Sequence, residues 1–145
     1  MYDILIQQMK DEVLRHGAQE LRTPADVDAV IPNTKGSLLV VINSTCGCAG
    51  GTARPAFGQS LQSEIKPEKI ATVFASTDRD ATARVRQYIG AEIPPSSPSF
   101  ALFKDGKLVE MIHRYQIEGH SVGQVTNTLV EAYRNHCEAR TAQTA

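Results

Sequence analysis

The chain has 145 residues, 41% of them hydrophobic and 21% charged, with a formal net charge of −1. That length carries one domain whose core needs no disulfide support, and the near-neutral balance excludes a general attraction to nucleic acid or acidic lipid. The first ten residues lack a basic start and a continuous apolar core, and no later apolar run is long enough to cross a bilayer, so neither a secretory leader nor a membrane partner is expected. A cytoplasmic location is the expectation, and there a cysteine pair is catalytic, redox-sensing or metal-binding more often than structural.

Tyr2, Leu5, Ile6, Met9 and Val13 recur at helical spacing and His16-Gly17 supplies a stop, which predicts an amphipathic helix over 2–16, outside the catalytic unit. Thr23 caps a short helix with Pro24 at its first position, ending near Pro32-Asn33. Ser37-Leu38-Leu39-Val40-Val41-Ile42 reads as a buried strand that gives way to the small residues around Cys46-Gly47-Cys48. A helix to about Glu64 is expected next, burying Phe57 and Leu61 and kinked at Pro55, whose missing N–H and ring disrupt one turn. Ile70–Ala75 is a second strand, and Asp78 or Asp80 caps a helix carrying Ala81, Val85, Tyr88 and Ile89 before Gly90 ends it. Strand, helix, strand, helix implies parallel pairing. Pro94-Pro95-Ser96-Ser97-Pro98 breaks all regularity, and Asp105-Gly106 between the apolar runs 100–104 and 107–112 predicts a hairpin. Ser121-x-x-Gln124 is a capping-box pattern opening a last helix with Val122, Val125, Leu129, Tyr133 and Cys137 on one face. Residues 1–138 are read as a single domain and 139–145 as a disordered tail.

Cys46 and Cys48 are the candidates for chemistry. A thiol at a strand-to-helix junction meets unpaired backbone N–H groups and the positive end of the helix dipole, which stabilise the thiolate that attacks disulfides. One intervening glycine leaves the thiols within disulfide reach and with little cover. The alternatives are a pair of small buried hydrophobes, or a metal site. Two cysteines make only half a tetrahedral shell, however, and His16, His113, His120 and His136 lie at no finger-like spacing, so neither metal nor another cofactor is expected. Arg54 is a candidate for binding a small thiol's carboxylates through its planar fork, the alternative being a solvated surface arginine. Cys137, on an apolar helix face, is read as a packing residue.

The order of these elements resembles the thioredoxin fold, and Pro98 followed by Phe103-Lys104-Asp105-Gly106-Lys107 resembles its proline and Phe-Lys-Asn-Gly hairpin. The implied architecture is α/β: a central four-stranded mixed sheet flanked by helices, with an extra N-terminal helix. By this resemblance Pro98 is a cis-proline facing the cysteines, and the backbone before it holds an incoming chain; Ser97, Ser99 and Phe100 beside it are candidates for lining the substrate groove. Asn43-Ser44-Thr45-Cys46-Gly47-Cys48-Ala49-Gly50-Gly51-Thr52-Ala53-Arg54-Pro55 is similar to the signature of the bacilliredoxin family with a Cys-Gly-Cys motif, as are 17–24 and Gln116-Ile117-Glu118-Gly119. That resemblance implies reduction of mixed disulfides between cytosolic client proteins and bacillithiol or another low-molecular-weight thiol, with Cys46 attacking and Cys48 resolving. Protein disulfide isomerisation, a redox sensor without turnover, and a metal or iron–sulfur carrier are the alternatives. Two departures from thioredoxin matter: Thr45 stands in place of its tryptophan, and Val40 in place of its buried aspartate, so nothing in the motif evidently deprotonates Cys48. The one-residue spacing also implies a strained, more oxidising disulfide.

Overall fold

The computed structural model describes residues 2–137, and the expected tail, 139–145, lies outside the described residues. Helix α1 spans Tyr2–Leu14, two residues shorter than expected, and is followed by β1, Gln19–Glu20. Helix α2 is Pro24–Val30, with Thr23 and Asp26 forming a reciprocal capping box. Strand β2, Ser37–Asn43, is buried at every position. A wide π turn, Ala49–Ala53, leads into α3, Arg54–Ser60; β3 is Lys69–Phe74 and α4 is Arg79–Ile89. The hairpin strands are β4, Ser99–Lys104, and β5, Lys107–Ile112, and α5 is Val122–His136.

The strands form one mixed sheet in the order β1-β3-β2-β4-β5. The expected four-stranded sheet is present as β3-β2-β4-β5, with β3 parallel to β2 and the other two pairs antiparallel. The fifth strand, β1, adds to the β3 edge in parallel, pairing Gln19 with Ala71 and Glu20 with Thr72. Alternation along β2 divides the core into two layers. Leu39 and Val41 pack with Val13, Phe57, Leu129 and Tyr133 on the α1/α3/α5 side. Leu38, Val40 and Ile42 pack with Val27, Val85 and Phe103 on the α2/α4 side.

The helix after the cysteines departs from expectation. Helical backbone begins at Gly47, and the Arg54 N–H reaches back to the Ala49 carbonyl across the wide turn. The chain thus meets Pro55, which has no N–H to give to the preceding turn, by widening before it. α3 ends at Ser60, not near Glu64. The Ser60 hydroxyl turns back onto the Phe57 carbonyl at 2.6 Å, and the next N–H groups, from Leu61 to Ser63, make tighter three-residue turns. Phe57 is buried as expected; Leu61 is only partly so. Asp78 occupies the first position before α4 but makes no side-chain cap; its carboxylate instead meets Lys10 at 2.9 Å. Lys10 also pairs with Glu20 at 3.0 Å, so a nearly buried cation joins α1, β1 and the start of α4.

Candidate active site

Ile42 pairs with Ser99 across β2 and β4, so the register brings the end of β2 and the loop before β4 to the same edge of the sheet. Asn43-Ser44-Thr45 leads from β2 into the cysteines, and the Ser97–Pro98 peptide bond opposite is cis, the isomer the resemblance implies. Cys46 and Cys48 are half-buried and reduced, their sulfurs 3.0 Å apart in a thiol–thiol hydrogen bond.

Their environments differ. Burial alone would push the Cys46 thiol up, but it is outweighed by hydrogen bonds from the Cys48 thiol, the Ser44 hydroxyl and the backbone N–H groups of Ala49 and Cys48. The thiol is thereby held below its ordinary value. Burial and the adjacent Cys46 sulfur push Cys48 up to about 11, against a smaller opposing influence from the Arg114 guanidinium. Of the two, Cys46 is thus the sulfur that gives up its proton first, with the Cys48 thiol donating to it. Where thioredoxin has its buried aspartate, Val40 is fully buried among aliphatic side chains and offers no acceptor to Cys48.

Arg54 is placed differently from the substrate-facing role expected of it. Its side chain is 6% exposed, and Nη1 donates to Asn43 Oδ1 at 2.9 Å and to the Ser44 carbonyl at 3.0 Å. Nε lies 3.2 Å from the Glu12 carboxylate, an ion-pair contact without hydrogen-bond geometry. Asn43 completes the network: its Oδ1 accepts from the Ser44 N–H at 2.9 Å, and its Nδ2 donates to the Met9 carbonyl at 3.0 Å. Arg54 therefore braces the loop that presents Cys46 and Ser44, and its charge is already matched. Gly50 is the reason the guanidinium fits, since a Cβ there would lie 2.8 Å from Arg54 Nη2. The network also corrects the placement of α1. Through Met9 and Glu12, that helix supports the cysteine loop directly.

Of the residues around Pro98, Ser97 is half-buried, whereas Ser99 and Phe100 face the core and line no groove. Ser99 is fully buried and its hydroxyl donates to the Ser96 carbonyl at 2.7 Å, shaping the loop from within. The Ser97 carbonyl accepts from Arg114 Nη1 at 3.3 Å, and the Arg114 N–H meets Ser96 Oγ at 3.3 Å. Arg114, in the short turn after β5, is the site residue that sequence reasoning missed: it touches the loop before Pro98 and lies within electrostatic range of both thiols. Its only signal in the sequence is the Arg114–Glu118 spacing, an i, i+4 charge pair seen here at 2.8 Å. Cys137 is buried beside Ser37, and burial pushes its thiol up. Among the described residues no group of three His, Cys, Asp or Glu side chains is placed to hold a metal ion, and no helix is long and apolar enough to cross a membrane.

A family model described as disulphide isomerase matches residues 1–137. The chain is 49% identical over 138 residues to a bacilliredoxin of Geobacillus kaustophilus, an alignment that spans 95% of this chain and 94% of that protein. It is 48% identical over 136 residues to a bacilliredoxin of Staphylococcus aureus strain NCTC 8325, spanning 94% and 92%. Among solved structures it resembles thioredoxin of Fasciola hepatica, with a TM-score of 0.57 at 22% identity over 81% of this chain and 98% of that one. Thioredoxin of Malassezia sympodialis gives a TM-score of 0.57 at 16% identity over 82% and 92%. At such identities the structural likeness speaks to the fold, which is that of thioredoxin.

Proposed function

We propose, for a chain that belongs to the disulphide isomerase family and is a thiol-disulfide oxidoreductase, that its substrates are cytosolic proteins carrying a low-molecular-weight thiol, bacillithiol, in mixed disulfide. The observation that carries the reading is the asymmetry of the Cys46–Cys48 pair beside the cis Ser97–Pro98 loop. Cys46 attacks the small thiol's sulfur; a Cys46–small-thiol disulfide forms, the bond to the client sulfur breaks, and the client leaves as a thiolate that takes a proton from solvent. Cys48, once deprotonated, attacks the Cys46 sulfur and expels the small thiol, which takes up a proton and leaves an internal disulfide. Two electrons from a further thiol or dithiol reductant return the pair to its starting state.

The supporting comparison is with relatives named bacilliredoxins. The family description also names isomerisation, a use of the same Cys46 nucleophile on protein–protein disulfides. Both are tested by giving the reduced protein equal amounts of a bacillithiolated client and a scrambled disulfide protein. Faster recovery of the client, abolished by Cys46→Ser, supports de-thiolation. Faster recovery of native disulfides makes isomerisation the main activity.

A further inference from the structure

The charge of Arg114 reaches both thiols, and with Pro94, Pro95, Ser96, His113, Tyr115 and Glu118 it lines a groove of about 520 Å³. That is the size of a small-molecule site, and the prolines and the Tyr115 ring give it apolar walls around one cation. Tyr115 is the most exposed large apolar side chain described, at 73%, and its ring stacks on His113 with centroids 5.2 Å apart. Arg114 differs from the buried Arg54 in every respect that matters for a ligand. Its side chain is 43% exposed, its guanidinium has more donors than its contacts to Ser97 and Glu118 use, and both thiols sit within its field. Glu118, itself 61% exposed, shows how a carboxylate meets this fork, and an exposed pair of this kind is weak enough to exchange for another carboxylate.

We propose that this groove holds the small-thiol half of the mixed disulfide and selects thiols that carry a carboxylate, with Arg114 binding the carboxylate and Glu118 as its internal competitor. The inference rests on the de-thiolation reading and adds the ligand's chemical class. It also accounts for which sulfur is attacked: a small thiol anchored on Arg114 has its own sulfur beside Cys46, so Cys46 bonds to it and the client sulfur departs. The Arg114 contact to the Ser97 carbonyl couples the occupied groove to the loop that faces the client.

The test uses one single-cysteine client S-thiolated in turn with glutathione, which bears carboxylates, and with 2-mercaptoethanol, which bears none. The readout is the ratio of kcat/KM for the two adducts, in which any effect of Arg114 on thiol reactivity cancels. The expected ratio is about tenfold or more in favour of glutathione for the wild-type protein, falling to near unity in Arg114→Gln, as loss of a charged hydrogen bond implies. In Glu118→Gln it should rise severalfold, a direction that a merely structural role for the ion pair does not produce. A ratio near unity in the wild type, or an unchanged ratio in Arg114→Gln, overturns the proposal. A second measurement is independent of turnover: S-methylglutathione, which cannot exchange, should perturb the amide resonances of Tyr115 and Ser96 in the wild type and not in a folded Arg114→Gln. If it does so while neither adduct is reduced, the groove stands and the de-thiolation reading falls; if both adducts are reduced equally and no resonance moves, the reverse holds.

Discussion

Replacing Arg54 with methionine separates a brace from a ligand contact. Methionine keeps much of the aliphatic stem and removes the guanidinium, so the Ser44 carbonyl loses the donor it has in the structure and Asn43 Oδ1 keeps only the Ser44 N–H. Ser44 and Asn43 are 5% and 2% exposed, so water cannot replace the lost donor without the loop opening. Leaving one buried carbonyl unpaired costs about 1–3 kcal/mol and losing the second hydrogen bond roughly 1 kcal/mol more. Glu12, at 36% exposure, turns to solvent at little cost. The sum, about 2–4 kcal/mol, corresponds to a Tm lower by roughly 6–14 °C for a chain of this size. Loosening the Ser44 hydroxyl weakens one of the hydrogen bonds that stabilise the Cys46 thiolate, so kcat/KM should fall about threefold to tenfold, equally for acidic and neutral small-thiol adducts. Differential scanning calorimetry and the two-adduct assay measure both effects. An unchanged Tm together with a selective loss on the acidic adduct would refute the reasoning and return Arg54 to the ligand-binding role its sequence context suggested.

The same geometry makes further predictions. Gly50→Ala should lower stability by roughly 1–3 kcal/mol, because the added Cβ meets a pinned guanidinium, and should cost clearly less in an Arg54→Met background; equal costs in the two backgrounds, read from denaturant unfolding, would show that the clash is not the cause. Limited iodoacetamide labelling mapped by mass spectrometry should mark Cys46 first. Its rate should rise with pH and level off below the ordinary thiol range, since a lowered pKa means the thiolate is already formed there, while Cys48 stays a thiol until about pH 11. Preferential labelling of Cys48 at neutral pH would reverse the two roles. Cys137→Ser should leave turnover intact at a stability cost of about 1 kcal/mol, because that thiol is buried beside Ser37 at the end of α5, and lost turnover in a folded variant would make it the resolving cysteine.

What the sequence made legible was what local chemistry determines. The Asp105-Gly106 hairpin appears where expected because both residues adopt positive φ, 52° and 81°, as that turn requires. The Ser121–Gln124 capping box forms in both directions, and β2 is buried along its whole length as its unbroken apolar run implied. What escaped depends on partners distant in sequence. Gln19–Glu20 has no strand pattern and becomes β1 only by pairing with β3. Arg54, read as a ligand contact or else a solvated arginine, is neither, because Asn43, Ser44 and Glu12 come to it from β2, the loop after it and α1. Ser99 looked exposed beside Pro98, yet it is the first residue of a central strand and faces inward. Arg114 carries no motif; its importance comes from the fold setting the turn after β5 against the Ser97 carbonyl.

The central claim, that Cys46 alone takes the small thiol from a modified protein, is tested most directly by intact-mass analysis of Cys48→Ser mixed with a bacillithiolated client. The account predicts a reduced client and a variant heavier by one bacillithiol on Cys46, persisting because no second thiol can displace it. An unmodified variant beside a still-modified client, with Cys46→Ser behaving as the wild type does, would contradict it.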